Sequence, residues 1–220
     1  MASPFDQSTY QVRHEWGAEG IARLAPADVV IVVDALRFSS TMTDAVLTHP
    51  EIALDDARVW SSNGADAAGA AQREGAIVLL GCLRNAAAVA RAVLAVQERR
   101  AARTSVAVIA AGERAPDGTL RFAVEDQLAA GAVIDALTSV GIDHCSPEAA
   151  AAATAFRGLR PALRHLFTAS GSGRELQIGV ASTSRMQERG ITPATVAEAA
   201  ELDSSEVVPE LRDGRFTAFV

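Results

Sequence analysis

The sequence has few aromatic residues, only two cysteines and no long apolar run. Aromatic side chains make up 5% of the 220 residues, and the apolar runs fall far short of the roughly 20 residues that a membrane helix needs. The cysteines, Cys82 and Cys145, show no Cys-x-x-Cys spacing, and we expect no structural disulphide. No basic, apolar leader opens the chain. These absences favour a cytoplasmic protein that makes no contact with a membrane.

A basic surface is missing as well. The chain has 27 acidic and 20 basic residues, a formal net charge of −7. Nucleic acid is therefore not an expected partner, because binding a polyanion requires a positive face that displaces its counterions. With 49% apolar residues the chain can bury a sizeable core, so we expect one domain over residues 1–220 that binds a small molecule.

Several common catalytic motifs are also absent. The sequence contains no Gly-x-x-x-x-Gly-Lys-Ser/Thr loop, no Gly-x-Gly-x-x-Gly turn and no Gly-x-Ser-x-Gly elbow. The histidines are His14, His49, His144 and His165, and none forms a pair at helical spacing. A zinc site is therefore not expected.

Alternating strands and helices are present in the first two thirds of the chain. The expected strands are short, apolar and rich in β-branched residues, which is typical of parallel strands buried on both faces. They are Val29–Val33, Ile77–Leu80 and Val106–Ile109, and the helices that follow them are expected at Ser40–Leu47, Ala86–Arg99 and Glu125–Leu137. This alternation predicts an α/β fold with three layers, α/β/α, around a mostly parallel sheet, with ligands at the carboxyl ends of the strands.

The last third has a different pattern. Pro147–Thr168 predicts a long alanine-rich helix or a pair of helices, and Ser170–Gly173 predicts a flexible loop. Pro193–Glu201 predicts a short helix. Glu206–Val220 predicts strand-like pieces interrupted by Pro209 and by Asp213–Gly214.

Polar side chains follow the first strand where it gives way to a helix. Arg37 can grip a phosphate at a helix N-terminus, and Asp34 can hold a divalent cation or attack phosphorus. Three hydroxyl residues come next, Ser39, Ser40 and Thr41. The alternative is structural: a serine caps the helix, and Asp34 pairs with Arg37.

The turn after the second strand reads Gly81-Cys82-Leu83-Arg84-Asn85, which again places a guanidinium at a strand–helix junction. Cys82 could be a thiolate nucleophile, activated by Arg84 and the helix end. However, Arg84 follows it by two residues, and the Cys-x5-Arg phosphate loop is absent. A buried, inert cysteine is the favoured alternative.

Acidic residues surround the third junction, where Glu113 and Arg114 follow the strand and the next helix begins with Glu125 and Asp126. Acids in a first helical turn are commonly partners of the helix dipole. The functional alternative is that Glu125 and Asp126 join Asp34 in an oxygen site for Mg²⁺.

Considered together, these junctions resemble the 2-phosphosulpholactate phosphatase family. Each matching segment is weak alone, but the combination is specific. The segments are Val30–Thr41, Ser62–Ala65, Gly81–Ala86, Ala111–Arg114, Glu125–Leu128, Ala130–Ala132, Ser172–Leu176 and Ala199–Asp203.

The resemblance implies a three-layer fold and Mg²⁺-dependent hydrolysis of a phosphate ester on a small sulphonated, lactate-like acid. On this interpretation Asp34 binds Mg²⁺ or attacks phosphorus, and Glu125 and Asp126 complete the metal site. Arg37 and Arg84 hold the phosphate and the second anionic group. Asn63 stabilises the developing charge. The remaining substrate contacts are expected from Ser39, Ser40, Thr41, Gly64, Cys82, Asn85, Glu113 and Arg114.

Two departures from the family keep other functions open. The connection between Thr48 and Ser61 is short where relatives insert a strand–helix unit, so part of the sheet is expected to be missing, and Gln177–Thr192 is longer than expected. A different phosphorylated hydroxy acid remains open as the substrate. So does a catalytically weakened relative that binds a small anion or regulates a partner. A truncated sheet edge would favour a homo-oligomer, with a dimer preferred.

Overall fold

The computed structural model describes residues 3–49 and 51–220. The strands are β1 (Val12–Trp16), β2 (Val29–Val33), β3 (Ile52–Ala53), β4 (Ile77–Gly81), β5 (Val106–Ala110), β6 (Glu113–Arg114), β7 (Leu120–Arg121), β8 (Pro209–Arg212) and β9 (Arg215–Ala218). The helices are α1 (Gly17–Arg23), α2 (Phe38–Thr48), α3 (Leu54–Arg58), α4 (Ser62–Arg73), α5 (Ala86–Arg100), α6 (Val124–Ser139), α7 (Pro147–Leu159), α8 (Leu163–Ala169), α9 (Gly171–Ile178), α10 (Ala181–Gln187) and α11 (Val196–Ala199). Two 3-10 turns, Leu83–Asn85 and Arg160–Ala162, precede α5 and α8.

A seven-stranded sheet forms the middle layer, in the order β1-β5-β2-β4-β8-β9-β3. β1, β5, β2 and β4 are parallel, whereas β8, β9 and β3 add an antiparallel edge. The three predicted strands are β2, β4 and β5, and the predicted three-layer α/β/α fold is confirmed.

The sheet separates two hydrophobic clusters. Side chains alternate between the faces of a strand, so Val29, Ile31 and Val33 belong to one cluster, while Val30 and Val32 belong to the other. The first cluster packs on α5, α6, α7, α8 and α11, and the second on α2, α3, α4 and α10. Burial on both faces explains why β2 is apolar at every position.

The antiparallel edge contains a tight hairpin. Asp213 and Gly214 join β8 to β9 with positive φ angles of 50° and 74°, as two-residue hairpin turns with matching twist require. The connection between Thr48 and Ser61, apart from residue 50, which lies outside the described residues, contains β3 and α3. β3 pairs with β9 and thereby extends the sheet.

The segment Ser170–Gly173 is not the flexible loop that its composition predicts. The Ser170 hydroxyl caps α9 by accepting a hydrogen bond from the Gly173 amide at 3.0 Å. A Cβ atom at Gly173 would lie 2.0 Å from the Phe167 carbonyl oxygen. The small residues therefore permit a close corner between α8 and α9. Upstream, Pro147–Thr168 forms the predicted helix pair, α7 and α8.

No helix in the described ranges combines the length and the hydropathy that crossing a bilayer requires.

Candidate active site

A cavity of about 240 Å³ opens at the carboxyl ends of β2 and β5. We call it the strand-end cavity. Its floor carries acidic and amide side chains from the turns after these strands and from the starts of α4 and α6, and its roof comes from α9 and α10. The polar residues that line it are Asp34, Arg37, Ser61, Asn63, Glu113, Glu125, Asp126, Ser172, Glu175 and Ser182.

Asp34 lies directly after β2 and is 9% exposed. One carboxylate oxygen accepts a hydrogen bond from the Phe38 amide at 3.3 Å, and the other accepts one from the Ser61 hydroxyl at 3.0 Å. Burial raises the pKa of Asp34 to about 6, and the neighbouring Glu113 and Glu125 add to this rise. Asp34 therefore titrates close to neutral pH.

Gly64 provides the space that Asp34 occupies. A Cβ atom at this position would lie 2.7 Å from the Asp34 Oδ2 atom and 2.6 Å from the Phe38 ring. The lack of a side chain at Gly64 therefore lets α4 approach the carboxylate of Asp34. A contact between Gly64 and the substrate stays a prediction.

Asp126 joins the two strand ends through its carboxylate. Oδ1 accepts a hydrogen bond from the Ala35 amide at 2.7 Å, and Oδ2 accepts one from the Gly112 amide at 2.8 Å. Burial, with Asp34 and Glu125 nearby, raises the pKa of Asp126 well above its ordinary value. Asp126 thus holds the turn after β2 against the turn after β5.

The sequence predicts that Asp34, Glu125 and Asp126 hold Mg²⁺ together. Within residues 3–49 and 51–220, no three acidic, histidine or cysteine side chains are arranged to hold a metal ion. The three-acid cage is therefore not preformed, because both oxygens of Asp126 face backbone amides. Asp34 and Glu125 still supply hard oxygen donors to one cavity, and Mg²⁺ commonly uses one or two carboxylates plus substrate phosphate and water. This donor set fits Mg²⁺, whose binding stays a prediction.

Arg37 is the one cation among the described residues that line the cavity. Its Nη2 atom donates a hydrogen bond to the Thr183 hydroxyl at 2.6 Å. Its Nε atom is buried and has no hydrogen-bond partner among the described residues. Burial lowers the pKa of Arg37. A half-buried guanidinium that lines a cavity and has an unpaired donor is suited to an anionic ligand.

The three hydroxyl residues after Arg37 do not reach the cavity. All are fully buried. Ser39 bonds to the Asp34 amide and the Val32 carbonyl, Ser40 donates to the Ala35 carbonyl, and Thr41 accepts from the Ala194 amide. The structure corrects their predicted role, because their hydrogen bonds shape the β2–α2 junction and leave none facing a substrate.

Arg84 also has a structural role in place of the predicted one. Its Nη1 and Nη2 atoms donate to both carboxylate oxygens of Asp44, at 2.7 and 3.2 Å, and Nη1 also reaches the Ser40 carbonyl and the Thr43 hydroxyl. It does not line the strand-end cavity. This ion pair neutralises its charge and joins the end of β4 to α2.

Cys82 and Asn85 are likewise buried away from the cavity. Burial raises the pKa of the Cys82 thiol, which disfavours the thiolate form that a nucleophile requires. Asn85 accepts from the Cys82 amide and donates to the carbonyls of Leu80 and Val207. Both residues stabilise the turn after β4, which agrees with the interpretation of Cys82 as a buried, inert cysteine.

Asn63 and Glu113 form one wall of the cavity. The Asn63 side-chain amide donates to the Gly112 carbonyl at 3.0 Å and to the Glu113 carboxylate at 3.4 Å. Arg114 lies outside this cavity, where it is exposed and 3.7 Å from Asp66. The structure therefore brings Asn63 and Glu113 to the site, and Arg114 to a neighbouring surface.

The sequence did not identify Ser61, the polar roof residues Ser172, Glu175 and Ser182, or Thr183, which accepts the hydrogen bond from Arg37. Ser61 precedes the Asn-Gly pair, and this proximity could have indicated it. Ser172 and Glu175 lie in the segment Ser172–Leu176, which carries part of the family resemblance, but no local pattern assigned either of them to the site. Ser182 lies in no matching segment, and tertiary structure brings all three over the strand ends.

The fold and the site together define an α/β protein with a buried carboxylate and arginine site at the carboxyl ends of parallel strands. Carboxylate oxygens can hold a hard cation and a guanidinium can hold an anion, so the site has groups for both kinds of ligand.

The chain belongs to the 2-phosphosulpholactate phosphatase family, whose sequence profile matches residues 47–214. This match confirms the resemblance and supports a phosphoric monoester hydrolase at the general level. It covers Asn63, Glu113, Glu125, Asp126 and the roof, whereas Asp34 and Arg37 precede it and are placed in the site by geometry. The comparison with curated proteins found no match.

Proposed function

We propose that this protein is a Mg²⁺-dependent phosphatase that acts on a small anionic phosphoester, 2-phosphosulpholactate or a related phospho-hydroxy acid. The observation that carries the proposal is the placement of Arg37, the one cation among the described lining residues, in one cavity with Asp34 and Glu125. Membership of a phosphatase family supports the same reaction class.

The charges of the cavity support a requirement for a divalent cation. Among the described residues, five acids line the cavity against one guanidinium, that of Arg37: Asp34, Glu113, Glu125, Asp126 and Glu175. A phosphate ester carries about −2 near neutral pH. Without a compensating cation, the carboxylates would repel this anion.

In the proposed mechanism Asp34 and Glu125 would hold Mg²⁺, which would supply Lewis-acid chemistry and positive charge at the phosphate group. Arg37 orients the phosphate through its unused donors. Ser61 fixes the Asp34 carboxylate, and Asp126 holds the two strand ends in place, so the site needs little rearrangement during the reaction.

The test is phosphate release from a panel of small phosphorylated hydroxy acids that includes 2-phosphosulpholactate and phospholactate. Each ester is assayed with Mg²⁺ and with EDTA. Asp34→Asn is expected to lower the rate roughly 100-fold or more. The exposed Asp55, paired with Arg58 outside the cavity, offers the control Asp55→Asn, which should retain the wild-type rate.

Mg²⁺-dependent release that is lost only in Asp34→Asn would support the proposed function and rank the substrates. If the folded wild-type protein released no phosphate from any ester, the function to prefer would be an anion-binding relative that regulates or scaffolds a partner.

A further inference from the structure

The two arginines at the strand–helix junctions have different partners. Arg84 forms a bidentate ion pair with Asp44, and this carboxylate neutralises its charge. Arg37 is instead held by a neutral hydroxyl, that of Thr183, at 2.6 Å. A hydroxyl acceptor fixes a guanidinium without supplying a negative charge that would compete with a bound anion.

The hydrogen bond to Thr183 uses the Nη2 atom of Arg37 and leaves the other N–H groups of the guanidinium without that partner. Arg37 lines the cavity, and its buried Nε atom has no partner in the described part of the chain. A buried donor without a partner is costly. The Nε atom of Arg84 is likewise buried without a partner among the described residues, so the features that separate Arg37 from Arg84 are its neutral acceptor and its place in the cavity.

Thr183 lies on α10, which other contacts anchor. Met186 is 1% exposed and packs in the cluster that contains Phe38 and Trp60. The Arg185 Nη1 atom donates a hydrogen bond to the Val59 carbonyl at 3.0 Å. The position of the helix therefore does not depend on Thr183 alone, and the hydroxyl can be removed while the roof stays in place.

We propose that Thr183 is a positioning residue that aims Arg37 at the phosphate group of the substrate. This inference rests on the proposed function, because it takes phosphate as the ligand of Arg37. It assigns to the long segment 177–192 a direct contribution to anion binding, made through one hydroxyl.

Three variants separate this role from simple support of the roof. Thr183→Val removes the acceptor and keeps the shape, Thr183→Ser restores a hydroxyl, and Arg185→Met removes the other tether of α10. For each full-length variant with Mg²⁺, calorimetry gives the Kd for inorganic phosphate, and steady-state assays give kcat and KM.

We expect Thr183→Val to weaken phosphate binding about tenfold and to raise KM by a similar factor, as for loss of a hydrogen bond to a charged group. The change in kcat should stay within about threefold, because the carboxylates are untouched. Thr183→Ser and Arg185→Met should both bind phosphate within about threefold of wild type.

Two results would overturn the inference: wild-type phosphate affinity in Thr183→Val, or an equal loss in Arg185→Met. A wild-type protein that binds phosphate but hydrolyses no ester would refute the proposed function, yet the same order of affinities would still support the role of Thr183. A wild-type protein that binds no phosphate would overturn both.

Discussion

Burial of Asp34 lowers the stability of the folded protein when the carboxyl group is ionised. Its pKa is raised to about 6 from the ordinary value of 3.8 because burial disfavours the charged form. The folded state therefore binds more protons than the unfolded state between these two values. By linkage, stability falls as pH rises from about 4 through about 6.

The substitution Asp34→Asn should therefore stabilise the protein at high pH while it removes activity. We expect a gain of about 1–3 kcal/mol in the free energy of unfolding at pH 8, since one pKa unit corresponds to about 1.4 kcal/mol. The gain should vanish near pH 4, where the wild-type carboxyl is itself protonated. Urea titrations at both pH values, with EDTA present, measure the difference.

The control for this comparison is Asp55→Asn, whose side chain is 90% exposed. It should leave the free energy of unfolding within about 0.5 kcal/mol of wild type. A loss of stability in Asp34→Asn at pH 8 would show that the ionised carboxylate is stabilising, contrary to the expectation.

Gly64 allows a second test at the residue scale. A methyl group there would meet the Asp34 carboxylate at 2.7 Å and the Phe38 ring at 2.6 Å, so Gly64→Ala must displace the acid. We expect kcat/KM to fall roughly tenfold or more, because small displacements of reacting groups are costly.

The matched control for Gly64→Ala is Gly158→Ala in α7, where an added Cβ would meet nothing within 4 Å. This variant should keep wild-type activity and gain up to about 1 kcal/mol of stability from helix propensity. Equal kcat/KM values in the two variants would contradict the role given to Gly64.

At the scale of elements, the ion pair between Arg84 and Asp44 connects β4 to α2. The Arg84 side chain is 11% exposed, so its removal leaves partly buried acceptors unpaired. Arg84→Gln should lower the free energy of unfolding by about 1–3 kcal/mol, while KM should change less than about threefold. Denaturant titrations and steady-state kinetics on one preparation measure both effects.

The control is the exposed ion pair between Arg91 and Glu206. Arg91→Gln should lower the free energy of unfolding by less than about 1 kcal/mol. If Arg84→Gln raised KM tenfold with no loss of stability, Arg84 would be a phosphate ligand after all.

The elements that could be predicted from sequence are those whose pattern is local. β2, β4 and β5 are continuous apolar runs, as strands covered on both faces must be. β1 is not recognisable, because it contains Arg13, His14 and Glu15. The Arg13 guanidinium is buried against carbonyl groups of Tyr10, Ala25 and Pro26, and such compensation depends on chain segments that a sequence pattern does not connect.

At the scale of the whole molecule, the fold rule placed the site at the carboxyl ends of the strands, and Asp34, Asn63, Glu113 and Glu125 were found there. The rule does not say which side chains face the cavity. Arg37 and Arg84 occupy equivalent junctions, but Arg84 pairs with the carboxylate of Asp44 and Arg37 bonds to the hydroxyl of Thr183. These partners lie 40 and 146 residues away along the chain, so a local sequence pattern does not reveal them. Homo-oligomerisation stays a prediction.

The central claim is that the strand-end cavity is the catalytic site of a phosphatase. The most direct measurement is a crystal structure of the wild-type protein with Mg²⁺ and tungstate, a phosphate analogue. We expect tungstate within hydrogen-bonding distance of Arg37 and Mg²⁺ beside Asp34 and Glu125. Tungstate bound at Arg84, or a cavity that stays empty when the anion binds elsewhere, would contradict it.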